Sequence, residues 1–395
     1  MVDPQIVVLV VAGSSPVGHP IFQFPIMIFF RNLVFAVALW LALFSENRSL
    51  AANSSERHLL YVATPGIRNY LEYGGHGILV FDIDREHRFV KRIPIAGLDA
   101  KGEPLNVKGI CASAKTKRLY VSTTKTLMCF DVVSEKMLWE KPYDGGCDRM
   151  SISPDGKIIY LPSLEGPHWH VIDALSGDAV KKIVLNSAAH NTIYGPDGRF
   201  VYLGGRRSHQ FAVAETKNHS LAQQIEFSNN IRPFTINQKQ TRCFVNVDGL
   251  LGFEVGDLEK GKMLCRVEVV GFEKGPVKRH GCPSHGIGLT ADEKEIWLAD
   301  SANSRIHIFD ATVLPPKRLT SISLRDQPGW ITFGIDGKLA YPSTGEVIDV
   351  SSRKIVAALK DETGAAVQSE KMLELDFRGE KLIRAGNQFG IGQKR

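Results

Sequence analysis

The chain has 395 residues, 44% of them hydrophobic and 23% charged, with 48 basic and 42 acidic side chains and a net charge of +6. That is a globular composition, with mass for one large domain or two ordinary ones. The basic residues are dispersed and form no long block, which sets nucleic acid aside as a partner, while 36 glycines and 9% aromatic residues suit an all-β chain rich in turns.

Residues 1–51 differ from the rest, with only two basic and two acidic side chains. Met27-Ile-Phe-Phe-Arg-Asn leads into twelve apolar residues, 33–44, and then into a polar stretch with the small residues Ser49 and Ala51. A charged start, a short apolar run and small residues before a cut are the marks of a secretory signal. The run is short for a membrane span of about twenty residues, and extending it back to Ile26 brings Arg31 into the bilayer. The expectation is an exported protein, periplasmic or extracellular, with Met27 as its true start. An anchor over residues 26–44, left uncleaved, is the alternative and the only route to a membrane.

From residue 56 onward one template recurs: an apolar strand, a polar turn often holding Asp-Gly, then a strand with a large apolar residue. It reads ICASAKTKRLYV from Ile110, MSISPDGKIIYL from Met150, TIYGPDGRFVYL from Thr192 and FTINQKQTRCFV from Phe234. It continues as IGLTADEKEIWL from Ile287, ITFGIDGKLAYP from Ile331 and LELDFRGEKLIR from Leu373. The spacings are 40, 42, 42, 53, 44 and 42 residues. A third strand, often ending in Asp, and a fourth strand follow each of the first six copies. Four short strands in about forty residues make one propeller blade, which buries its faces only by stacking on neighbours. HLLYVATP from His58, GILVFDID from Gly77 and HRFVKRIPI from His87 form a blade without a first strand, whereas the last template copy lacks a third and fourth. Residues 373–377 are therefore expected to complete the first blade. The predicted fold is all-β: a seven-bladed β-propeller of four-stranded antiparallel blades over residues 56–385, closed by the C-terminal strand, with a tail at 386–395. The chain is expected to be a monomer.

The six cysteines, Cys111, Cys129, Cys147, Cys243, Cys265 and Cys282, form no metal spacing. Cys111 and Cys129 fall two strands apart in one blade, as do Cys243 and Cys265. At about 4.8 Å per strand that exceeds disulfide reach, so free thiols are expected.

RLYVSTT from Arg118, KIIYLPS from Lys157 and RFVYLGG from Arg199 resemble the YVTN-type β-propeller repeat. That family sits near the lactonase-like and amine-dehydrogenase heavy-chain propellers. The resemblance spans roughly residues 56–385 and implies a seven-bladed ring, but says little of activity, since one propeller scaffold hosts many functions. The Trp-Asp signature of WD40 strands is missing, as is a Cys-X-X-Cys-His haem site.

Two residues before each template copy stand Lys108, Asp148, His190, Arg232, His285, Gly329 and Lys371. Repeat symmetry predicts a ring of these residues around one channel mouth. The loops between second and third strands open on the same face. They bring His168, His209 and Arg305 at one equivalent position, His76 one residue off it, and a long first-blade loop with Arg68, Tyr70 and Tyr73. Clustered cations favour a small anionic molecule or a protein partner. Neutral imidazoles at His190, His285 and His168 are candidate ligands for a metal ion. No serine elbow or His-Glu-X-X-His spacing occurs. The classes left open are a binding propeller, a hydrolase of lactonase type, metal-assisted or not, using the same mouth, and a redox subunit docking a cofactor-bearing partner.

Overall fold

The computed structural model describes residues 56–391. The signal or anchor expected within residues 1–51 lies outside the described residues; among those described, no helix is long and apolar enough to cross a membrane.

Seven antiparallel sheets form a seven-bladed β-propeller, six of them four-stranded and one five-stranded. Blade 2 illustrates the plan with Val107–Ser113, Arg118–Thr123, Thr126–Asp131 and Met137–Pro142 as consecutive neighbours. Inner strands are buried along their length, as in Ile231–Ile236 and Ser284–Leu289, whereas fourth strands such as Ala179–Val184 expose all but one residue. A strand sandwiched between neighbouring blades needs apolar residues on both faces, so the alternation of a half-exposed sheet appears only at the rim.

Two local devices repeat. Asp-Gly turns join first and second strands, and Gly156 and Gly198 take φ values of +77° and +78° that favour glycine. The Asp closing the third strand is a turn cap: Asp131 Oδ1 accepts from Ser134 N at 2.8 Å, Asp173 Oδ1 from Ser176 N at 2.8 Å and Asp349 Oδ1 from Ser352 N at 2.7 Å. Its recurrence thus has a structural cause. In every blade the pairing of third and fourth strands is shifted by an irregularity, for example between Val171 and Ile172 or Val255 and Gly256. Such bulges increase the local twist.

The ring closes through the C-terminus. Met372–Arg378 pairs with Glu56–Thr64, register Leu59↔Leu375, and supplies the inner strand that the first blade lacks. Lys381–Ala385 then pairs with it as a fifth strand, one more than the four-stranded blade expected from the repeat. Residues 386–391 continue into the channel. Leu289 N and Thr235 Oγ1 donate to Gly390 O at 2.8 and 3.0 Å, and Trp330 Nε1 donates to Gln388 O. Phe389 packs in one apolar cluster with Trp330, Phe227 and Phe234. All six cysteines are free.

Candidate functional site

The ring residues meet at one end of the channel because of how the inner strands begin. In blades 2, 4, 5 and 6 the pairing of first and second strands slips between Val107 and Gly109, Ala189 and Asn191, Ile231 and Phe234, and Ser284 and Ile287. The residues skipped include Lys108, His190, Arg232 and His285. A bulged residue leaves the ladder and re-aims its side chain, here toward the channel.

These four, with Asp148 and Lys371, line one cavity of about 150 Å³. Its wall also holds Arg68, Asn106, Arg149, Glu165, Arg206, Arg279, His280 and Glu370. Seven Lys or Arg side chains thus face three carboxylates and three imidazoles. Of the sequence-derived ring, Gly329 contributes its carbonyl, which accepts from His285 Nδ1 at 2.6 Å.

Two buried ionic groups organise the wall. Asp148, 1% exposed, accepts from His190 Nδ1 at 2.7 Å and from Arg149 N at 2.9 Å, with Lys108 Nζ 3.4 Å away. Burial opposes its ionisation, but Lys108 and His190 outweigh burial and hold the carboxyl well below the usual range. Burial pushes the His190 imidazole down, against the pull of Asp148. Glu370 Oε2 accepts from Arg149 Nη2 at 2.8 Å and Lys371 Nζ at 2.7 Å, while Oε1 accepts from His280 Nδ1 at 2.9 Å. Burial opposes the Glu370 charge too, and Lys371 and His280 hold it ionised. Burial lowers Lys371 to about 7 and pushes His285 well below its ordinary value, in each case against Glu370. Arg149 stacks on Trp330, 3.4 Å from the ring centroid. Further out, Arg232 is paired with Asp248, Arg279 with Asp326 and Arg206 with Glu165. Arg149 Nε and Nη1, Arg206 Nε and His280 Nε2 are buried without a partner.

Of the second set of sequence-derived residues, Arg68 of the first-blade loop reaches this cavity, whereas His168, His209, His76 and Arg305 do not. His168 turns to His170, Nε2 to Nε2 at 3.1 Å, and His170 in turn reaches Asp144 O at 2.9 Å. His209 is exposed, and His76 is part-buried beside Arg92, which donates to its carbonyl at 3.2 Å. Arg305 lies over Phe272 and donates to Ser323 Oγ at 2.8 Å. The reason is radial: third strands lie two strand spacings, roughly 10 Å, outside the first strands. Of the metal candidates, His168 is held apart, whereas His190 and His285 are neighbours with ring centroids 6.5 Å apart. His190 Nδ1 is committed to Asp148 and His168 to His170, so only His285 stands in a cluster of metal-ligating side chains, with His280 and Glu370.

Sequence reasoning missed Arg149, Glu370, Arg279 and His280. The signal for Arg279 and His280 was the 53-residue spacing between the template copies at Phe234 and Ile287. The extra residues form the loop that carries both side chains over the mouth. Arg149 and Glu370 are each next to a ring position.

The fold and the mouth define a seven-bladed β-propeller with a cation-lined channel entrance. No family model matches the chain, and no curated protein matches it. Solved structures do match, among them a chain titled Kuenenia stuttgartiensis Hydrazine Synthase. That chain is 13% identical, with a TM-score of 0.43, and the match covers 63% of this chain and 94% of that one.

Proposed function

We propose that this propeller is an exported binding protein of the YVTN-type repeat class that takes a small carboxylate- or phosphate-bearing anion into the channel mouth. One observation carries the reading: seven Lys or Arg side chains converge on a cavity of about 150 Å³, and buried donors of Arg149 and Arg206 there are unpartnered. Desolvated cations with unused donors are stabilised by an anion that supplies acceptors. The test is calorimetric titration of the full chain with citrate, succinate and inorganic phosphate. Arg232→Ala is expected to weaken binding by about 1.5–3 kcal/mol, typical of a hydrogen bond to a charged group. No measurable binding of any of the three by the parent protein would overturn the reading. Export is part of the same proposal, and mass spectrometry of native protein should find the chain beginning near Ala51; an intact N-terminus in a membrane fraction would favour the anchor.

A second reading, hydrolysis, is favoured by the Asp148–His190 pair. A carboxylate only accepts, so Asp148 fixes the hydrogen on His190 Nδ1 and leaves Nε2 as a proton acceptor. Turnover of small lactones that is lost in His190→Ala would support this reading.

A further inference from the structure

We propose that His280, His285 and Glu370 form a binding site for a divalent first-row metal ion of the zinc type. One ligand atom from each of the three lies within 4.8 Å of the other two, and all three residues are buried. Two imidazoles and a carboxylate are a ligand set that zinc accepts while keeping a further position open.

The surroundings fix the ligands for this task. His285 Nδ1 must carry its hydrogen, because its partner is the Gly329 carbonyl at 2.6 Å. Its Nε2 is therefore the lone-pair nitrogen. An outer carbonyl that sets tautomer and ring orientation is the usual support of a metal-ligating histidine. The His280 and His285 rings lie side by side, with centroids 5.1 Å apart and planes 39° apart. His280 Nδ1 lies 2.9 Å from Glu370 Oε1, a separation that two ligands of one ion can share, and the ring hydrogen then rests on Nε2.

Charge is the objection to be met, since Arg149 and Lys371 adjoin the same carboxylate. Both cations bond to Glu370 Oε2, and Oε1 is left to the histidine side. The carboxylate thus divides into one oxygen that neutralises the cations and one that faces the imidazoles. Asp148 offsets Lys108 on the neighbouring blade. The site does not depend on the anion reading above, although an anion on the open coordination position would find Arg149 and Lys371 close by.

The test uses the purified full chain, stripped of metal, dialysed and titrated with zinc chloride by calorimetry, with elemental analysis of the reloaded protein. About one equivalent of zinc is expected. His280→Ala and His285→Ala should each weaken uptake at least about 100-fold, beyond the 10–100-fold that loss of an outer partner brings. His209→Ala, on an exposed histidine, should leave it unchanged. Cobalt substitution should give a ligand-field spectrum in the parent protein that the two variants lack. His280→Gln, which keeps a donor toward Glu370 but removes the imidazole, serves if His280→Ala does not fold. Absence of stoichiometric zinc in the parent, or uptake unchanged in the His280 and His285 variants, overturns the site. Titration of metal-free protein with inorganic phosphate tests the anion reading separately.

Discussion

Glu370→Gln removes a carboxylate on which three buried groups converge, Arg149, Lys371 and His280, at 2.8, 2.7 and 2.9 Å. Their side chains are at most 8% exposed, so water replaces little of what is lost. Lys371, already lowered to about 7, can shed its proton; Arg149 cannot. Its uncompensated charge should then cost about 3–5 kcal/mol, the usual result of breaking a buried pair from one side. The pH dependence has a definite sign. Glu370 raises the Lys371 pKa, so the variant lowers it further. A lysine whose folded pKa is depressed contributes most above its unfolded pKa and loses that contribution as pH falls. The deficit should therefore be larger at pH 6 than at pH 9. Urea unfolding followed by tryptophan fluorescence suits the measurement, since Trp330 lies beneath Arg149. Arg149→Met added to Glu370→Gln should recover more than about 1 kcal/mol, because the stranded charge is then gone. A Glu370→Gln protein within about 1 kcal/mol of the parent, or a double variant showing simple additivity, would refute this account of the buried ion pair.

Two further outcomes concern the closing strand and the C-terminal residues beyond it. Glu374 and Asp376 lie on one face of Met372–Arg378, and burial, then the proximity of Asp376, raises the Glu374 pKa above 4.5. The associated stability is full below about pH 4.5 and lost as pH rises through the elevated value, so Glu374→Gln should melt higher than the parent at pH 9 and about equally at pH 4. Phe389 is 2% exposed inside the channel; Phe389→Ala should cost about 3–5 kcal/mol in urea unfolding, and a change below about 1 kcal/mol would mean that residues 386–391 do not pack as a plug.

The ring was legible because a propeller repeats its environment. A polar residue at a fixed offset before each inner strand must arrive at a common height and radius, and Lys108, Asp148, His190, Arg232, His285 and Lys371 do so. The bulges that aim four of them inward were not legible, since Val107 to Gly109 reads as an unbroken strand start. The same symmetry misled for His168, His209, His76 and Arg305. Equivalence in the repeat placed them on one face, but not at one radius, and radius decides which side chains reach the axis. Residues outside the repeat, Arg279 and His280, were beyond its logic altogether, and only the long spacing marked their loop.

The five-stranded first blade bears on function as well as closure. After Met372–Arg378 completes the ring, Lys381–Ala385 runs back antiparallel along it from the far end, and residues 386–391 then bond to blades 3, 5, 6 and 7. Gln388 Nε2 donates to Met150 O, 3.4 Å away and one residue from Arg149 in the cavity wall. The apolar cluster around Phe389 includes Trp330, on which Arg149 stacks. The segment therefore packs beneath the cations, and it also borders a cavity of about 600 Å³ against the inner strands of blades 2 and 3. A through-channel would hydrate Arg149, Glu370 and His280 from both ends and weaken every interaction among them. With Gln388 and Phe389 packed against Met150 and Trp330, the charged groups are shielded from below, which favours a desolvated ligand site.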